Sequence, residues 1–442
     1  MAERDLKNPE LCRALLRASY RTLGNRKPDL ALAMASRAVA AMPGVETLLH
    51  LADLQSLADR GDEAKATLRR LEEDYRADLF DALPQFAIVQ ARLGDMPGGI
   101  RNFQTFLSRR AAVPAVLHYI LGSMLAVEGR FAEANEIFDR GLLISCGDGK
   151  LTCTRIIHFP DAIPTQVRPF PIPRAVELPL ADFAAGAEAV YFVCCDARYF
   201  GLFGEPLCNA LLARAEADLA IHIHIVNPTP DSERTADRLC RRIGTRLAIS
   251  RERTALDDLT QRERRTYYSC ARFLILPELL RRYGRPMLVA DADQIVLRSL
   301  RPLLADFAGH DIGLLKFPKQ ISNIFSLLSA TALLVADTEG GRSFCDTVAD
   351  TLAERFADPA AVSWHLDQTA MVVAHLLHPH LRTWHLSPSL LHSELLEGGV
   401  PSRPPEETVF WSITASHPQN MAKLTSPDFL AYLSGESEQA DA

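Results

Sequence analysis

Several features that would fix a cellular setting or a ligand are missing from this 442-residue sequence. Its nine cysteines include no CxxC pair, which argues against a disulfide framework and against a zinc ribbon. No stretch approaches the roughly 18 uninterrupted apolar residues of a membrane span, and the N-terminus, MAERDLKNPE, has no signal-peptide pattern. The net charge of -7 argues against a phosphate-tracking surface. We therefore expect a cytoplasmic protein that binds no nucleic acid.

What the sequence does contain is enough apolar residues for more than one folded domain. The hydrophobic fraction is 48% and the charged fraction is 23%, as in globular proteins. A length of 442 residues predicts two or three domains. The patterns divide the chain into a repeat domain over 1–145, a proline-rich connector over 146–186, a second domain over 187–432, and a tail over 433–442 that we expect to be disordered.

The first third of the sequence repeats. Glycine turns stand about 33 to 37 residues apart, the period of a helical-hairpin repeat, at Gly24, Gly61, Gly94 and Gly129. The last unit, LHYILGSMLAVEGRFAEANEIFDRGL, resembles a tetratricopeptide repeat, with small or aromatic residues at the usual offsets: Gly122, Gly129, Ala134, Phe138 and Gly141. Stacked helix pairs of this kind form a solenoid with a concave face. The alternative is a plain helical bundle.

Prolines mark the connector, at Pro160, Pro164, Pro169, Pro171, Pro173 and Pro179. Proline can neither continue a helix nor lie in a central strand, so we interpret this segment as extended.

After the connector, short apolar runs alternate with helical segments. The runs AVYFVCCD, LAIHIHIV, TRLAIS and PMLVA predict buried strands. Their alternation with helices predicts an α/β fold with a mostly parallel sheet, in which ligands bind at the carboxyl ends of the strands. Cys194 and Cys195, inside the first run, are interpreted as reduced core residues.

The fourth predicted strand leads directly into two carboxylates, Asp291 and Asp293. A pair at this spacing is often only a solvated loop or the cap of a turn. Here the pair follows a buried strand, at the carboxyl end of the sheet where ligands bind. The two negative charges therefore need a positive partner between them. Hard oxygen ligands suit Mn²⁺ or Mg²⁺, which carboxylates commonly share with substrate phosphates. We therefore predict a divalent metal ion that arrives with a diphosphate.

The order of these segments resembles one enzyme family. The stretches YFVCCDARYF, TYYSCARFLILPELL, MLVADADQIVLRSL and WHLDQTAM, within residues 188–430, are similar to the family 8 retaining glycosyltransferases, the glycogenin and bacterial lipooligosaccharide galactosyltransferase group. The resemblance implies a Rossmann-like GT-A domain that takes a hexose from a UDP-sugar and uses Mn²⁺ or Mg²⁺. The chain would then be multidomain, an α-helical tetratricopeptide-like solenoid followed by an α/β GT-A domain.

The same resemblance implies a role for each matching residue. Asp291 would contact the donor ribose and the metal, and Asp293 would bind the metal. Asp196 and Tyr199 would lie beside the uracil and ribose. Arg272 would contact the donor sugar and the diphosphate, where a guanidinium fork suits phosphate oxygens.

Asp367 and Gln368, in WHLDQTAM, would reach the sugar and the acceptor, and would join Arg272 as the catalytic residues. A purely structural role stays open as the alternative for both Arg272 and Asp367. Arg272 could be an exposed helix residue paired with Glu278, and Asp367 could merely begin a helix, where aspartate is favoured.

The C-terminal end departs from the family pattern. Relatives carry a His and a Gly-Lys-Pro-Trp-like loop over the diphosphate, whereas this chain has WSITASHPQNMAK. His417 is the candidate third metal ligand, and the alternative is that it is only a loop histidine without a ligand role. Lys423 is the candidate lysine that binds the donor. SLLSATALLV stands where an Asn-Ser-Gly segment is usual, which leaves the acceptor contacts open. The strand histidines His222 and His224 are interpreted as structural.

The predicted function is therefore metal-dependent transfer of a hexose to a protein or glycan acceptor, which the concave face of the repeats would hold. Two alternatives remain. The chain could be a non-catalytic repeat scaffold with a degenerate sugar-nucleotide domain. DADQIV also resembles the first motif of haloacid-dehalogenase-like phosphatases, in which the first aspartate is a nucleophile. The sequence leaves open the sugar, the acceptor and whether two chains pair.

Overall fold

The computed structural model describes residues 9–24, 27–110, 112–145, 157–164, 166–214, 219–393 and 408–412. The chain divides into two units. Unit 1 comprises Met1–Thr154 and Pro318–Ile324, and unit 2 comprises Arg155–Phe317 and Phe325–Ala442. No pattern in the sequence predicts that the short stretch Pro318–Ile324 belongs with the first unit. The predicted tail over 433–442 lies outside the described residues.

The described part of unit 1 is helical. Its helices are α1 (Pro9–Gly24), α2 (Pro28–Ala41), α3 (Val45–Leu57), α4 (Gly61–Asp74), α5 (Leu83–Arg92), α6 (Met96–Ser108), α7 (Ala115–Val127) and α8 (Phe131–Ser145). They pack as consecutive pairs, α1 on α2, α3 on α4, α5 on α6 and α7 on α8. Each of the four turn glycines predicted from the sequence lies at a connection within one of these pairs. The tetratricopeptide-like solenoid stays a prediction.

Two glycines of the last pair explain its geometry. Gly129 has a φ of 77°, a left-handed conformation that favours glycine, and turns the chain between α7 and α8. Gly122 lets the two helices approach closely, because a Cβ added there would lie 2.5 Å from Cε1 of Phe138. The Phe138 side chain is only 1% exposed, so it has little room to move.

Unit 2 alternates strands and helices, as the sequence predicts. Its elements are β1 (Arg174–Glu177), β2 (Ala189–Asp196), α9 (Ala197–Arg214), β3 (Leu219–Val226), α10 (Pro230–Ile243), β4 (Leu247–Thr254), α11 (Gln261–Tyr283), β5 (Met287–Ala290), β6 (Gln294–Val296), α12 (Arg301–Phe307), β7 (Ile312–Lys316), β8 (Leu328–Val335), α13 (Glu339–Phe356), α14 (Leu366–Leu377), β9 (Thr383–Leu386), β10 (Leu391–Ser393) and β11 (Phe410–Ser412).

The main sheet has eight strands in the order β1-β4-β3-β2-β5-β8-β7-β9. Its central strands β4, β3, β2 and β5 run parallel, which confirms the α/β arrangement expected from the four apolar runs. The later strands are mixed, since β8 is antiparallel to both β5 and β7. Helices α9, α10 and α11 pack on the parallel strands, and β2 and β3 are buried along almost their whole length. A second, three-stranded sheet has the order β10-β11-β6.

The segment interpreted as an extended connector contributes a strand that the sequence did not predict. β1 pairs antiparallel with β4 at the edge of the main sheet, with Arg174 opposite Thr254. An edge position tolerates the neighbouring Pro173, because proline lacks the N–H that a strand with partners on both sides must donate.

Helix α11 has well-defined ends that set the position of its side chains. Thr260 and Glu263 form a capping box at its N-terminus, and Gly284 closes its C-terminus in the left-handed conformation. The helix runs 23 residues beside β2, β3 and the helices α13 and α14.

The described cysteines are all free, including the buried Cys194 and Cys195, which confirms that these two are core residues. Among the helices of the described residues, none combines the length and the apolar character that crossing a bilayer would require.

Candidate functional site

The acidic pair lies at the carboxyl end of β5, in the middle of the main sheet. All four residues of this strand are buried. The chain turns directly after the strand, with the Gln294 amide donating to the Asp291 carbonyl at 3.2 Å. Asp291 itself is held to the neighbouring strand through its amide, which donates to the Thr331 carbonyl at 3.3 Å. Asp291 and Asp293 are thus placed where parallel sheets bind ligands.

Arg272 of α11 reaches this corner and joins two carboxylates. Its guanidinium donates through Nη1 to Asp291, and through Nη2 to Asp367 at 3.3 Å. The Arg272 side chain is only 5% exposed, and its Cζ lies 4.8 Å from the centroid of the Phe273 ring. The alternative of an exposed arginine paired with Glu278 is therefore wrong, because α11 is buried along this face. The Arg272 Nε has no hydrogen-bond partner among the described residues.

The electrostatics of the acidic pair are unfavourable as they stand. Burial raises the pKa of Asp291, although the nearby Arg272 charge acts in the opposite direction. Burial and the Asp291 charge together raise the pKa of Asp293 to about 7. Three carboxylates, those of Asp291, Asp293 and Asp367, share the field of one guanidinium. With all three ionised, this group carries two uncompensated negative charges, which is what one divalent cation balances.

Asp196 and Tyr199 occupy the same end of the sheet. Asp196 is the last residue of β2, the strand next to β5, and its carboxylate accepts the amide N–H of Tyr199 at 2.7 Å. This bond caps the first turn of α9, which begins at residue 197. Burial, followed by the charges of Asp293 and Asp196, raises the pKa of Tyr199. The Tyr199 hydroxyl therefore lies within the field of both carboxylates.

Asp367 and Gln368 begin α14. Asp367 accepts the Gln368 amide through Oδ1 at 2.8 Å and the Arg272 guanidinium through Oδ2, so it both starts a helix and contacts the cluster. The Gln368 side chain points elsewhere, with Oε1 2.6 Å from the Nδ1 of His365. His365 has a φ of 72°, a left-handed conformation immediately before the helix.

The structure thus brings Asp291, Asp293, Arg272 and Asp367 together. Gln368 is next to Asp367 in the sequence, but its side chain contacts His365 and not this group. The other two candidates, His417 and Lys423, lie outside the described residues. Within the described ranges, no three His, Cys, Asp or Glu side chains converge so as to hold a metal ion by themselves. Asp291 and Asp293 would therefore supply two oxygen ligands to an ion, and its remaining ligands would come from elsewhere.

Two further polar residues at this corner carry no signal in the sequence. Tyr191 lies inside the apolar run of β2 and is fully buried, yet its hydroxyl finds no hydrogen-bond partner within the described ranges. Burial and then the charges of Asp291 and Asp293 raise the pKa of this hydroxyl. Gln294 is also fully buried, with neither side-chain oxygen nor nitrogen bonded to any described group. Such groups usually have a partner, which here would belong to a bound ligand or to water.

A second buried polar cluster lies at the end of β4. Glu252 is completely buried and accepts the Nε of Arg174 at 3.0 Å and the hydroxyl of Tyr267. The Nε2 of His224 lies 3.2 Å from the same carboxylate. Burial alone would raise the pKa of Glu252, but its bonds to His224 and Arg174 lower it to about 2. This carboxylate is therefore fully paired, in contrast to Asp293.

The strand histidines belong to this second cluster. The Ser250 hydroxyl lies 2.7 Å from Nδ1 of His224 and 2.7 Å from Nε2 of His222. Nδ1 of His222 lies 2.9 Å from the hydroxyl of Tyr283. Burial lowers the pKa of both histidines. Both are neutral members of a hydrogen-bonded core, as the structural interpretation predicts.

Comparisons with known proteins give matches at the level of structure. No protein-family model matches the chain, and no curated protein does so. Among solved structures, it is similar to mouse xyloside xylosyltransferase 1 in its apo form, with 14% identity over 52% of this chain and 99% of that chain and a TM-score of 0.35. It is also similar to the galactosyltransferase LgtC in complex with donor and acceptor sugar analogues, with 14% identity over 55% of this chain and 83% of that chain and a TM-score of 0.33.

A third similar structure is the apo form of the bifunctional glycosyltransferase WbbM, with 14% identity over 47% of this chain and a TM-score of 0.35. The chain covers 40% of that longer protein. All three structures are glycosyltransferases. TM-scores this low leave the function of this chain to the geometry of its own site.

Proposed function

We propose that this chain is a metal-dependent glycosyltransferase that moves a hexose from a UDP-sugar to a protein or glycan acceptor, with retention of anomeric configuration. The observation that carries this proposal is the bridge from Asp291 through the buried Arg272 to Asp367, with Asp293 beside it at the end of a central strand. The fixed guanidinium would stabilise an anionic leaving group. The carboxylates would repel such a group unless they hold a divalent cation.

The acidic corner fits a divalent cation. Asp291 and Asp293 offer hard oxygen ligands, and the pKa of the partly buried Asp293 is raised by desolvation and by the Asp291 charge. These two residues would hold Mn²⁺ or Mg²⁺, with His417 as the proposed third ligand and the donor diphosphate completing the set. When bound, such an ion supplies Lewis-acid stabilisation to the departing diphosphate.

The protein side chains supply the rest of the electrostatics and the orientation. Arg272 would turn one arm of its fork toward a diphosphate or sugar oxygen, and its unpaired Nε is a donor already aimed away from water. Asp196 and Tyr199 would line the uridine side, since Asp196 ends the adjacent strand β2 and Tyr199 follows in the first turn of α9. Lys423 is proposed as a further donor contact.

Asp367 and Gln368 would act on the other side of the donor, at the transferred sugar and the acceptor. Asp367 is held in place by the Arg272 contact and by its position in the first turn of α14. In the absence of an Asn-Ser-Gly segment, we propose that unit 1 holds the acceptor.

A calorimetric titration tests the donor proposal directly. UDP-glucose, UDP-galactose and their N-acetyl forms are titrated into the full-length chain with Mn²⁺ and, in parallel, with EDTA. We expect one of the four donors to bind with Mn²⁺ and to bind far more weakly with EDTA, and we expect slow hydrolysis of that donor with the same metal dependence.

The outcomes separate the proposal from its alternatives. Donor binding without hydrolysis or transfer would indicate a degenerate sugar-nucleotide domain that acts as a scaffold. Hydrolysis of p-nitrophenyl phosphate, with no binding of UDP-sugars, would indicate a phosphatase of the haloacid dehalogenase type.

A further inference from the structure

Unit 1 contains seven residues that are distant in the sequence from its helices. The 318–324 segment, Pro318–Ile324, belongs to the loop between β7 and β8, yet it clusters with the helices of the first unit. It contacts the first helix of three successive pairs, α3, α5 and α7, and each contact uses a side chain or carbonyl suited to recognising a peptide.

Helix α5 provides a clamp for the main chain of the segment. Arg92, whose side chain is 9% exposed, donates from Nε to the carbonyl of Lys319 at 3.1 Å. Its Nη1 donates to Asp53 and, at 2.8 Å, to the hydroxyl of Ser56, both on α3. Asp53 is fixed in turn by the hydroxyl of Tyr20 on α1. Arg92 is thus held by partners on α3 that leave its Nε free to bind a peptide carbonyl, whatever the sequence of the peptide.

The C-terminus of α3 provides a site for the lysine. The Nζ of Lys319 donates to the carbonyl of Leu57, the last residue of α3, at 2.7 Å. It also lies 2.6 Å from Oδ1 of Asp59, whose φ of 62° directs the chain away from the helix end. A helix C-terminus carries partial negative charge and unpaired carbonyls, so an ammonium group is favoured at this point.

Helix α7 recognises a second side chain four residues further along. The hydroxyl of Tyr119 donates to Oδ1 of Asn323 at 3.0 Å. Ile321, which lies between Lys319 and Asn323 in the sequence, is buried with 5% exposure. Ile324, which follows Asn323, is buried with 1% exposure. Lysine, isoleucine, asparagine and isoleucine thus form a short pattern of alternating polar and apolar anchors, while the side chain of Gln320 is exposed.

We propose that α3, α5 and α7 carry a peptide-docking face specific for a short segment with a lysine and, four residues later, an asparagine, and that the chain's own 318–324 segment is its resident occupant. Because a tethered segment acts at a high effective concentration, about millimolar for a short linker, the face is closed to outside peptides while the segment is in place. A protein partner that uses this face must displace the segment. This inference does not depend on the sugar-transfer proposal.

The test uses the full-length chain and a labelled synthetic peptide with the sequence of residues 316–326, KFPKQISNIFS. Fluorescence anisotropy measures how tightly the peptide binds to three proteins. These are the wild type, the double variant Lys319→Ala/Asn323→Ala, and the control Gln320→Ala. We expect the peptide to bind the double variant at least tenfold more tightly than the wild type, since the weakened resident no longer competes. The control should match the wild type. Adding Arg92→Lys to the double variant should weaken peptide binding again, because lysine lacks the second arm of the fork.

Hydrogen exchange of the same proteins gives an independent readout. Amides over residues 318–324 should exchange faster in Lys319→Ala/Asn323→Ala than in the wild type, and at the wild-type rate in Gln320→Ala. The proposal is overturned if the peptide binds the wild type as tightly as the double variant, if it binds neither, or if exchange over the segment is the same in all three proteins. Circular dichroism confirms that each variant is folded before it is scored.

Discussion

Arg272 and Asp367 are 95 residues apart in the sequence, yet Nη2 of Arg272 lies 3.3 Å from Oδ2 of Asp367. The contact lies at the carboxyl end of β5. The contact connects the middle of α11 to the first turn of α14, and the same guanidinium also bonds Asp291. Motion of either helix would therefore change the position of a carboxylate at the site. The predictions below follow from this connection, from the second buried cluster and from one close helix approach.

Replacing Asp293 by asparagine should abolish metal-dependent turnover of the UDP-sugar, with a loss of about a hundredfold to a thousandfold in rate. The same variant should be at least as stable as the wild type without metal, because it removes a partly buried charge that pairs with no cationic side chain among the described residues. Initial rates at saturating Mn²⁺ and thermal unfolding with EDTA measure the two effects. Asp257→Asn, at an exposed position, is the matched control. An unchanged rate at saturating Mn²⁺ would reject the assignment.

Replacing Arg272 by lysine keeps the charge but removes the fork that spans two carboxylates. We expect kcat to fall by about a hundredfold while the circular dichroism spectrum is retained. Arg281→Lys alters an exposed arginine on the same helix and should leave kcat unchanged. If kcat of Arg272→Lys equals kcat of Arg281→Lys, the bridge from Arg272 to Asp291 and Asp367 plays no part in turnover.

Replacing Glu252 by glutamine should lower the free energy of unfolding at pH 7 by about 3 kcal/mol, because it leaves the buried end of Arg174 without its ionic partner. The effect should depend on pH. The folded-state pKa of Glu252 is about 2, below the ordinary 4.5, so its contribution is complete above about pH 4.5 and is lost as the pH falls toward 2.

Urea unfolding at several pH values measures this difference. The gap between wild type and Glu252→Gln should narrow steadily below pH 4.5, whereas Glu177→Gln, at an exposed position of β1, should show no such gap. A gap that stays constant down to the lowest pH at which both proteins fold would contradict the role assigned to this carboxylate.

Replacing Gly122 by alanine should destabilise unit 1 by about 1 to 3 kcal/mol, since the new methyl group would overlap the Phe138 ring. Gly24→Ala, where the added carbon meets nothing within 4 Å, is the control and should be neutral. Combining Gly122→Ala with Phe138→Leu should restore part of the loss in chemical unfolding. Additive losses in the double variant would show that the ring is not what limits the space.

The sequence predicted the parts of the fold that depend on local pattern. Continuous apolar runs located β2 to β5, and the position of Asp291 and Asp293 directly after one of these runs placed them at the end of the sheet. Glycine spacing located the turns of unit 1. These features follow from neighbouring residues alone, which is why a single sequence reveals them.

The parts that were missed depend on contacts between distant residues. The sequence predicts a connector where β1 lies, because prolines flank these residues and an edge strand forms only with β4 beside it. Nothing near Arg272 indicates that it is buried, since its partners come from β5 and α14. The orphan hydroxyl of Tyr191 lies in a run that is otherwise apolar, and the membership of Pro318–Ile324 in unit 1 links positions more than two hundred residues apart.

The short strand β1 has a consequence for solubility. A sheet whose outermost strand is long and regular offers a template on which another molecule can add, and this is a common start of aggregation. Here that strand has only four residues, with Pro173 before it and Pro179 shortly after it, so its outer side presents few amides in register. The prolines that break the pattern of the sequence at this point also stop the sheet from growing beyond β1.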